Sequence, residues 1–320
     1  MEKVCALFGF GLALVLSLGL GVINGAPQVP CFFIFGDSLV DNGNNNRLSS
    51  LAKANYMPYG IDFPNGPTGR FSNGRTTVDV ISKLLNFLIN DYLNNYFMPL
   101  FYSTGRRFSP EQYADVLIQQ YTQQLQVRIL HSSLRIRIAF VIKYCLCFGA
   151  ELEISIDVDF QALYDYGARK FVLIGLGQIR CSPNELAQNS RDSRTCVERI
   201  NAANRIFNSK LKALVDQFNN NDSDAKFIYI DVYGIFQDIT TNPSAFGFRV
   251  KNAGCCGVGR NNGQITCLPL QRPCRNRNEY LFWDAFHPTE AANVIIGRRS
   301  YSAQSPSDAY PIDIRRLAQL

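Results

Sequence analysis

The fold is decided by the stretch CFFIFGDSL at residues 31–39. Its first half is apolar and rich in aromatic residues, a composition typical of a buried parallel strand. Gly36 ends this run and lets the backbone turn, and Ser38 follows directly. Because functional sites of parallel α/β sheets lie at the carboxyl ends of the strands, we expect Ser38 to lie in such a site.

Two further apolar runs, residues 170–174 and 226–230, resemble this first strand. Between them, over residues 197–218, apolar side chains recur at helical spacing and predict an amphipathic helix. The pair Ser109-Pro110 predicts the start of another helix that runs to about Gln126. Strands that alternate with long helices indicate an α/β fold with a doubly wound parallel sheet sandwiched by helices.

The N-terminus is typical of a secretory signal peptide. Lys3 precedes an uncharged apolar stretch at about residues 4–23, and small residues follow up to Ala26. A retained transmembrane anchor is the alternative, because the stretch is long enough to span a bilayer. We favour cleavage near Ala26, since glycines interrupt the stretch and small residues end it. The prediction is a signal peptide at residues 1–26, then one secreted domain at residues 27–320 without stable membrane insertion.

An oxidising compartment would allow the cysteines to pair, and loss of Cys5 with the signal peptide leaves nine of the ten in the chain. The disulfide candidates are Cys181, Cys196, Cys255, Cys256, Cys267 and Cys274. We expect Cys181 to pair with Cys196. A zinc site is the alternative for the other four, but two of them are adjacent and no histidine is near, so disulfides are favoured. Asn221, in the sequon at residues 221–223, is a predicted glycosylation site on a secreted surface loop.

Charge and composition exclude a nucleic-acid partner. The net charge is +6, but the sequence has no block of Lys and Arg and no basic segment with interleaved aromatic residues. With 47% hydrophobic and 18% charged residues, the composition is that of an ordinary globular domain. We therefore look for a small-molecule function.

Near the C-terminus, Asp284 stands three residues before His287. With Ser38, these side chains form the set used in nucleophilic acyl transfer: a serine nucleophile, a histidine base and a carboxylate that orients it. Each has an ordinary alternative, because Gly-Asp-Ser also occurs in turns and a lone histidine is more often structural. His287 is one of two histidines in the chain, the other being His131.

Several segments together resemble one family. They are FGDSLVDNGNN at residues 35–45, GRFSNGR at 69–75, GARK at 167–170, NAGCCG at 252–257 and DAFHPT at 284–289. On these the chain resembles the plant-type secreted GDSL esterases/lipases of the SGNH hydrolase superfamily. The resemblance covers most of the chain, and the Gly-x-Ser-x-Gly signature of α/β-hydrolases is absent.

This resemblance implies a flavodoxin-like parallel sheet and hydrolysis of small-molecule or lipid carboxylic esters, without a metal or organic cofactor. It gives Ser38 the role of nucleophile, His287 that of general base, and Asp284 that of orienting carboxylate. The family's oxyanion hole uses the serine N–H, a glycine N–H and an asparagine side chain. Here Ser38 and Asn90 match, but the glycine has no counterpart.

Two departures from the family pattern follow. An apparent internal deletion at residues 86–90 removes the segment before Asn90, so we expect central strands of the sheet to be missing. Residues 127–161 form an anomalous insertion between Gln126 and Ala162, and its ends can be encoded by GTAAGA and TTTCAG, the usual limits of an intron. A translated retained intron is our hypothesis. A genuine insertion, whose strand-like run at residues 136–142 fills a sheet position, is the alternative.

Two functional hypotheses remain. The first is a secreted serine hydrolase that cleaves carboxylic esters. The second is a catalytically impaired member of the same family, either a binding protein or a mis-spliced product, that lacks a complete oxyanion hole.

Overall fold

A computed structural model describes residues 27–29, 32–47, 51–86, 94–95, 139–141, 164, 168–220 and 224–320. The predicted signal peptide, Asn90 and Asn221 lie outside these residues. So do His131, most of the inserted segment and the helix predicted from Ser109.

The described strands form two sheets. The strands are β1 (Phe33–Phe35), β2 (Asn94–Asn95), β3 (Ala139–Val141), β4 (Lys170–Ile174), β5 (Lys226–Ile230), β6 (Val250–Gly254), β7 (Tyr280–Phe282) and β8 (Ala309–Tyr310). Six of them form the main sheet in the order β2-β1-β3-β4-β5-β8, and all its pairings are parallel except that of β8 with β5. The first five strands thus have the 2-1-3-4-5 order of a flavodoxin-like sheet. Strands β6 and β7 pair separately and are also parallel.

Helices pack against both faces of the main sheet. They are α1 (Thr77–Leu84), α2 (Pro183–Asn189), α3 (Glu198–Asn220), α4 (Val232–Thr241), α5 (Glu290–Tyr301) and α6 (Ile314–Gln319). Successive strand residues point to opposite faces. Val172 and Ile228 share a buried core cluster with residues of α1, α4, α5 and α6. Phe227 lies on the other face, with its ring centroid 4.7 Å from that of Phe218 on α3. The prediction of an α/β fold is therefore confirmed.

We expected central strands of the sheet to be missing, and the loss of the strands that the relatives have there stays a prediction. Strand β1 has a neighbour on each side, β2 on one and β3 on the other. Strand β3 comes from the inserted segment and pairs with both β1 and β4. The apolar, β-branched composition of the run around it suits a strand buried between two others, which is how the segment fills the position.

Three disulfides join the cysteines that the sequence singles out. Cys181 is bonded to Cys196, Cys255 to Cys274, and Cys256 to Cys267. The last two bonds close the segment that follows β6, and no thiolate remains there to bind zinc. Within the described part of the chain, no helix is both long and apolar enough to cross a membrane.

Candidate active site

Strand β1 delivers Ser38 to the carboxyl end of the main sheet. After Phe35 the chain enters a tight turn in which the Val40 N–H donates to the Asp37 carbonyl at 3.1 Å. The Leu39 N–H donates to the Asp37 side chain at 2.9 Å. Ser38 is 5% exposed, so its hydroxyl lies at the floor of the site rather than on the surface.

The other two candidate residues lie in a turn between β7 and α5. The Trp283 N–H donates to the His287 carbonyl at 2.7 Å and closes this turn. Inside it, the N–H groups of Phe286 and His287 each donate to Asp284 Oδ1 at 2.8 Å. The three-residue spacing in the sequence therefore produces a local structure that fixes the carboxylate against its own turn.

The structure brings Ser38, His287 and Asp284 together. His287 Nε2 lies 2.7 Å from Ser38 Oγ, and His287 Nδ1 lies 2.8 Å from each oxygen of Asp284. A neutral imidazole that donates from Nδ1 keeps a lone pair on Nε2, where it faces the serine hydroxyl. The arrangement can remove a proton from Ser38 while Asp284 stabilises the resulting imidazolium.

The second oxygen of Asp284 has its own donors. The Tyr59 hydroxyl donates to Asp284 Oδ2 at 2.5 Å, and the Thr266 hydroxyl donates to it at 3.0 Å. Asp284 is completely buried. Burial by itself raises the pKa of Asp284, but the charge and hydrogen bond of His287 and the other donors outweigh it and lower the pKa. The carboxylate is therefore held in its ionised form.

Aromatic side chains cover the imidazole. The Phe71 ring centroid lies 4.9 Å from that of His287, and Phe286 flanks the same ring at 6.2 Å. Phe71 belongs to the GRFSNGR segment, which is anchored by a buried ion pair from Arg70 to Asp79 of α1 at 2.7 Å. Phe286 is 48% exposed and supplies an apolar surface beside the triad.

The chain is similar to known proteins over most of its length. The model of the GDSL-like lipase/acylhydrolase family matches residues 89–300. GDSL esterase/lipase At5g45670 of Arabidopsis thaliana is 50% identical, with 97% of this chain and 98% of the relative covered. GDSL esterase/lipase At4g18970, from the same plant, is 48% identical over the whole of both chains. The chain belongs to the GDSL-like lipase/acylhydrolase family.

The matches to this GDSL family include the Ser38 segment, and they show that the chain lacks residues that its relatives have. The family-model match begins after Ser38, whereas the alignment to At4g18970 covers all of this chain and so includes the Ser38 segment. The alignment to At5g45670 extends over 391 positions, although the chain has 320 residues. The relatives therefore contain residues that have no counterpart here.

The structure describes some of the other predicted residues and not others. The six cysteine candidates are all paired, as described above, whereas the oxyanion candidate Asn90 lies outside the described residues. Among the described residues, no cluster of His, Cys, Asp or Glu could hold a metal ion. Sequence reasoning missed Tyr59 and Thr266. The only local signals for them were the proximity of Tyr59 to the GRFSNGR segment and that of Thr266 to Cys267.

Proposed function

We propose that this GDSL-family protein is a secreted serine hydrolase that cleaves carboxylic esters with a Ser38–His287–Asp284 triad. The observation that supports it most directly is the hydrogen-bonded chain from the Ser38 hydroxyl through both imidazole nitrogens to the Asp284 carboxylate, with distances of 2.7 and 2.8 Å. Its substrates are small-molecule or lipid esters, the class that the names of the Arabidopsis relatives imply.

In the first half-reaction, Ser38 Oγ attacks the carbonyl carbon of the ester while His287 Nε2 takes the hydroxyl proton. The tetrahedral intermediate then collapses. Its bond to the alcohol oxygen breaks, and His287 returns the proton to the leaving alcohol, so Ser38 is left acylated. In the second half-reaction, water attacks the acyl group with His287 again as base. The acid is released, and Ser38 regains its proton.

The negative charge on the carbonyl oxygen needs hydrogen-bond donors during both attacks. The Ser38 N–H and the Asn90 side chain are the donors we propose, by analogy with the family pattern. Loss of one such donor lowers kcat by about a hundred- to a thousandfold in other hydrolases. The glycine without a counterpart therefore predicts a slow enzyme.

Secretion is supported by the three disulfides, which persist in oxidising compartments, and by the signal-like N-terminal sequence. We propose that the mature domain begins near residue 27 and is glycosylated at Asn221.

A second candidate is a catalytically impaired family member that binds ligands but turns them over poorly or not at all. The relatives' additional residues support it, because residues missing from this chain are expected to include an oxyanion donor.

One experiment separates the two candidates. Wild-type protein recovered from the medium of expressing cells is assayed on p-nitrophenyl acetate and butyrate beside Ser38→Ala. We expect wild type to hydrolyse both esters and Ser38→Ala to lose at least about a thousandfold in kcat, since loss of a triad serine costs about a millionfold elsewhere. Ser82→Ala, which removes a buried hydroxyl from α1, is the matched control and should retain activity.

Equal turnover by wild type and Ser38→Ala would refute the esterase proposal. Labelling of Ser38 by a fluorophosphonate, followed by peptide mapping, tests the nucleophile without turnover. Labelled Ser38 in a protein that does not hydrolyse either ester supports the impaired candidate.

A further inference from the structure

A second pair of hydroxyl groups extends the chain of hydrogen bonds beyond Asp284. Tyr59 Oη and Thr266 Oγ1 both contact Asp284 Oδ2, and they lie 2.9 Å from each other. Tyr59 is 1% exposed, so its contact with the carboxylate is sheltered from water. Neither residue belongs to the segments that carry the family resemblance.

We propose that Tyr59 and Thr266 are positioning residues that hold the Asp284 carboxylate in the orientation needed to align His287 on Ser38. This inference rests on the proposed role of Asp284 in ester hydrolysis. It adds two side chains, which lie 207 residues apart in the sequence, to a site that otherwise consists of the triad.

The geometry explains why two anchors are needed. The last torsion of an aspartate side chain has broad minima, so the carboxylate can rotate when only one oxygen is held. Backbone N–H groups hold Oδ1 from within the turn. Tyr59 and Thr266 hold Oδ2 from outside it. With both oxygens fixed, the plane that receives the His287 Nδ1–H is also fixed.

The proton count is consistent with this arrangement. Each hydroxyl carries one proton, and the three oxygens of Tyr59, Thr266 and Asp284 make three mutual contacts. At any moment two of these are hydrogen bonds, and at least one of them ends on Oδ2. Burial and the neighbouring Asp284 raise the pKa of Tyr59 well above its usual value, so its hydroxyl stays protonated and remains a donor.

Both hydroxyls are themselves held by rigid parts of the structure. The Tyr59 ring packs edge-on against Trp283, with centroids 6.2 Å apart, and so contacts the residue before Asp284. Thr266 precedes Cys267, whose disulfide partner Cys256 donates its N–H to the Trp283 carbonyl at 2.7 Å. The anchors and the carboxylate thus share a common support, which preserves their distances.

The test compares Tyr59→Phe with Tyr56→Phe. Tyr56 lies in the same aromatic cluster, but its hydroxyl donates to the Cys267 carbonyl and not to Asp284. We expect Tyr59→Phe to lower kcat on p-nitrophenyl butyrate by about tenfold or more, from the usual strength of a hydrogen bond to a charged group, with KM little changed. Tyr56→Phe should retain most of kcat. Thr266→Val should also lower kcat, and Thr266→Ser should restore it.

A second measurement does not depend on turnover. The chain has two histidines, so the downfield Nδ1–H proton of His287 can be identified by NMR after ¹⁵N-histidine labelling, with His131→Gln for assignment. We expect this resonance to shift or broaden in Tyr59→Phe and to stay in place in Tyr56→Phe. If wild type has no esterase activity, the proposed function fails and this resonance alone decides the positioning role.

The positioning role is overturned if Tyr59→Phe and Tyr56→Phe give the same His287 resonance and the same kcat. It is also overturned if Thr266→Ser is as impaired as Thr266→Val. Thermal unfolding of every variant identifies effects that come only from loss of stability.

Discussion

Two carboxylates lie near the same imidazole and differ in their surroundings. Asp284 is buried but receives donors on both oxygens, and its pKa is lowered. Asp37 is partly buried, and desolvation raises its pKa to about 6, although the Leu39 N–H and His287 act in the opposite direction. At Asp284, hydrogen-bond donors of the protein replace the water that would surround a free carboxylate. At Asp37, the Leu39 N–H does not compensate for the lost water. The ionised form is favoured in the first and disfavoured in the second.

This difference predicts a pH-dependent effect of Asp37→Asn on stability. The pKa of Asp37 is about 6 in the folded state, above its ordinary value of 3.8, so folding disfavours its ionisation. The wild type loses stability as pH rises from about 4 to 6, and the full penalty persists above that. Asparagine keeps an oxygen to accept the Leu39 N–H but carries no charge.

We therefore expect Asp37→Asn to be more stable than wild type at pH 8, by at most about 3 kcal/mol, and similar to it at pH 3.5. Urea unfolding at both pH values measures the difference. The same gain at both pH values would mean that the charge of Asp37 is not the cause.

At the scale of elements, a disulfide-closed segment joins the second sheet to the triad. It begins at the end of β6 and contains both cysteine pairs of residues 255–274. Cys255 and Cys256 donate their N–H groups to the carbonyls of Phe282 and Trp283, so the segment is tied to the chain just before Asp284. The Cys256–Cys267 bond therefore supports Thr266. The Cys181–Cys196 bond lies beside α2, which contacts the triad turn separately, through the Asn184 N–H that donates to the Ala285 carbonyl at 2.9 Å.

The two disulfides close loops of similar size, with separations of 11 and 15 residues. Removing either pair by Cys→Ser substitution should lower stability by about 2–4 kcal/mol. We expect the Cys256→Ser/Cys267→Ser protein to lose more kcat than the Cys181→Ser/Cys196→Ser protein, because only the first change releases Thr266 from its position against Asp284. Esterase assays at a temperature where both variants are folded, with thermal unfolding in parallel, measure this. Equal kcat in both variants would show that the Cys256–Cys267 bond has no specific role in the active site.

For the whole molecule, the sequence predicted the elements whose cause is local. Strands β4 and β5 are continuous apolar runs, and the helix expected at residues 197–218 is observed as α3 at Glu198–Asn220. The triad was also visible, because each member stands in a short recognisable segment. These features depend on neighbours within a few residues, which a single sequence displays.

Other features depend on contacts between distant parts of the chain. The bond from Tyr59 to Asp284 joins residues 225 positions apart, and no periodic pattern reports such a contact. The short strand β2 is stabilised by pairing with β1 rather than by its own length, which is why its position was not predicted. Strand β3 lies within the run at residues 136–142, which the alternative of a genuine insertion had placed in the sheet. Strand β8 is set in the same way by antiparallel pairing with β5.

The position of β3 makes the origin of the inserted segment testable. In the retained-intron hypothesis, residues 127–161 are foreign to the fold, and a spliced message joins the codons of Gln126 and Ala162. Yet β3 lies within this segment and pairs Phe33 with Ala139 on one side and Phe171 with Ala139 on the other. The retained-intron hypothesis and the pairing of β3 agree on one condition. In the relatives, residues that this chain lacks would form the strand at the position of β3.

A chimera tests this account directly. Residues that follow the counterpart of Leu85 in At5g45670 are inserted before Asn90, and residues 127–161 are removed so that Gln126 precedes Ala162. We expect the chimera to unfold at a higher temperature than the natural chain and to hydrolyse p-nitrophenyl butyrate faster, because the strand and its oxyanion donor are restored together. Deletion of 127–161 alone is the matched control. It leaves a gap between β1 and β4 and should prevent cooperative folding. A chimera no more stable than the natural chain would instead make the inserted segment a genuine part of this fold.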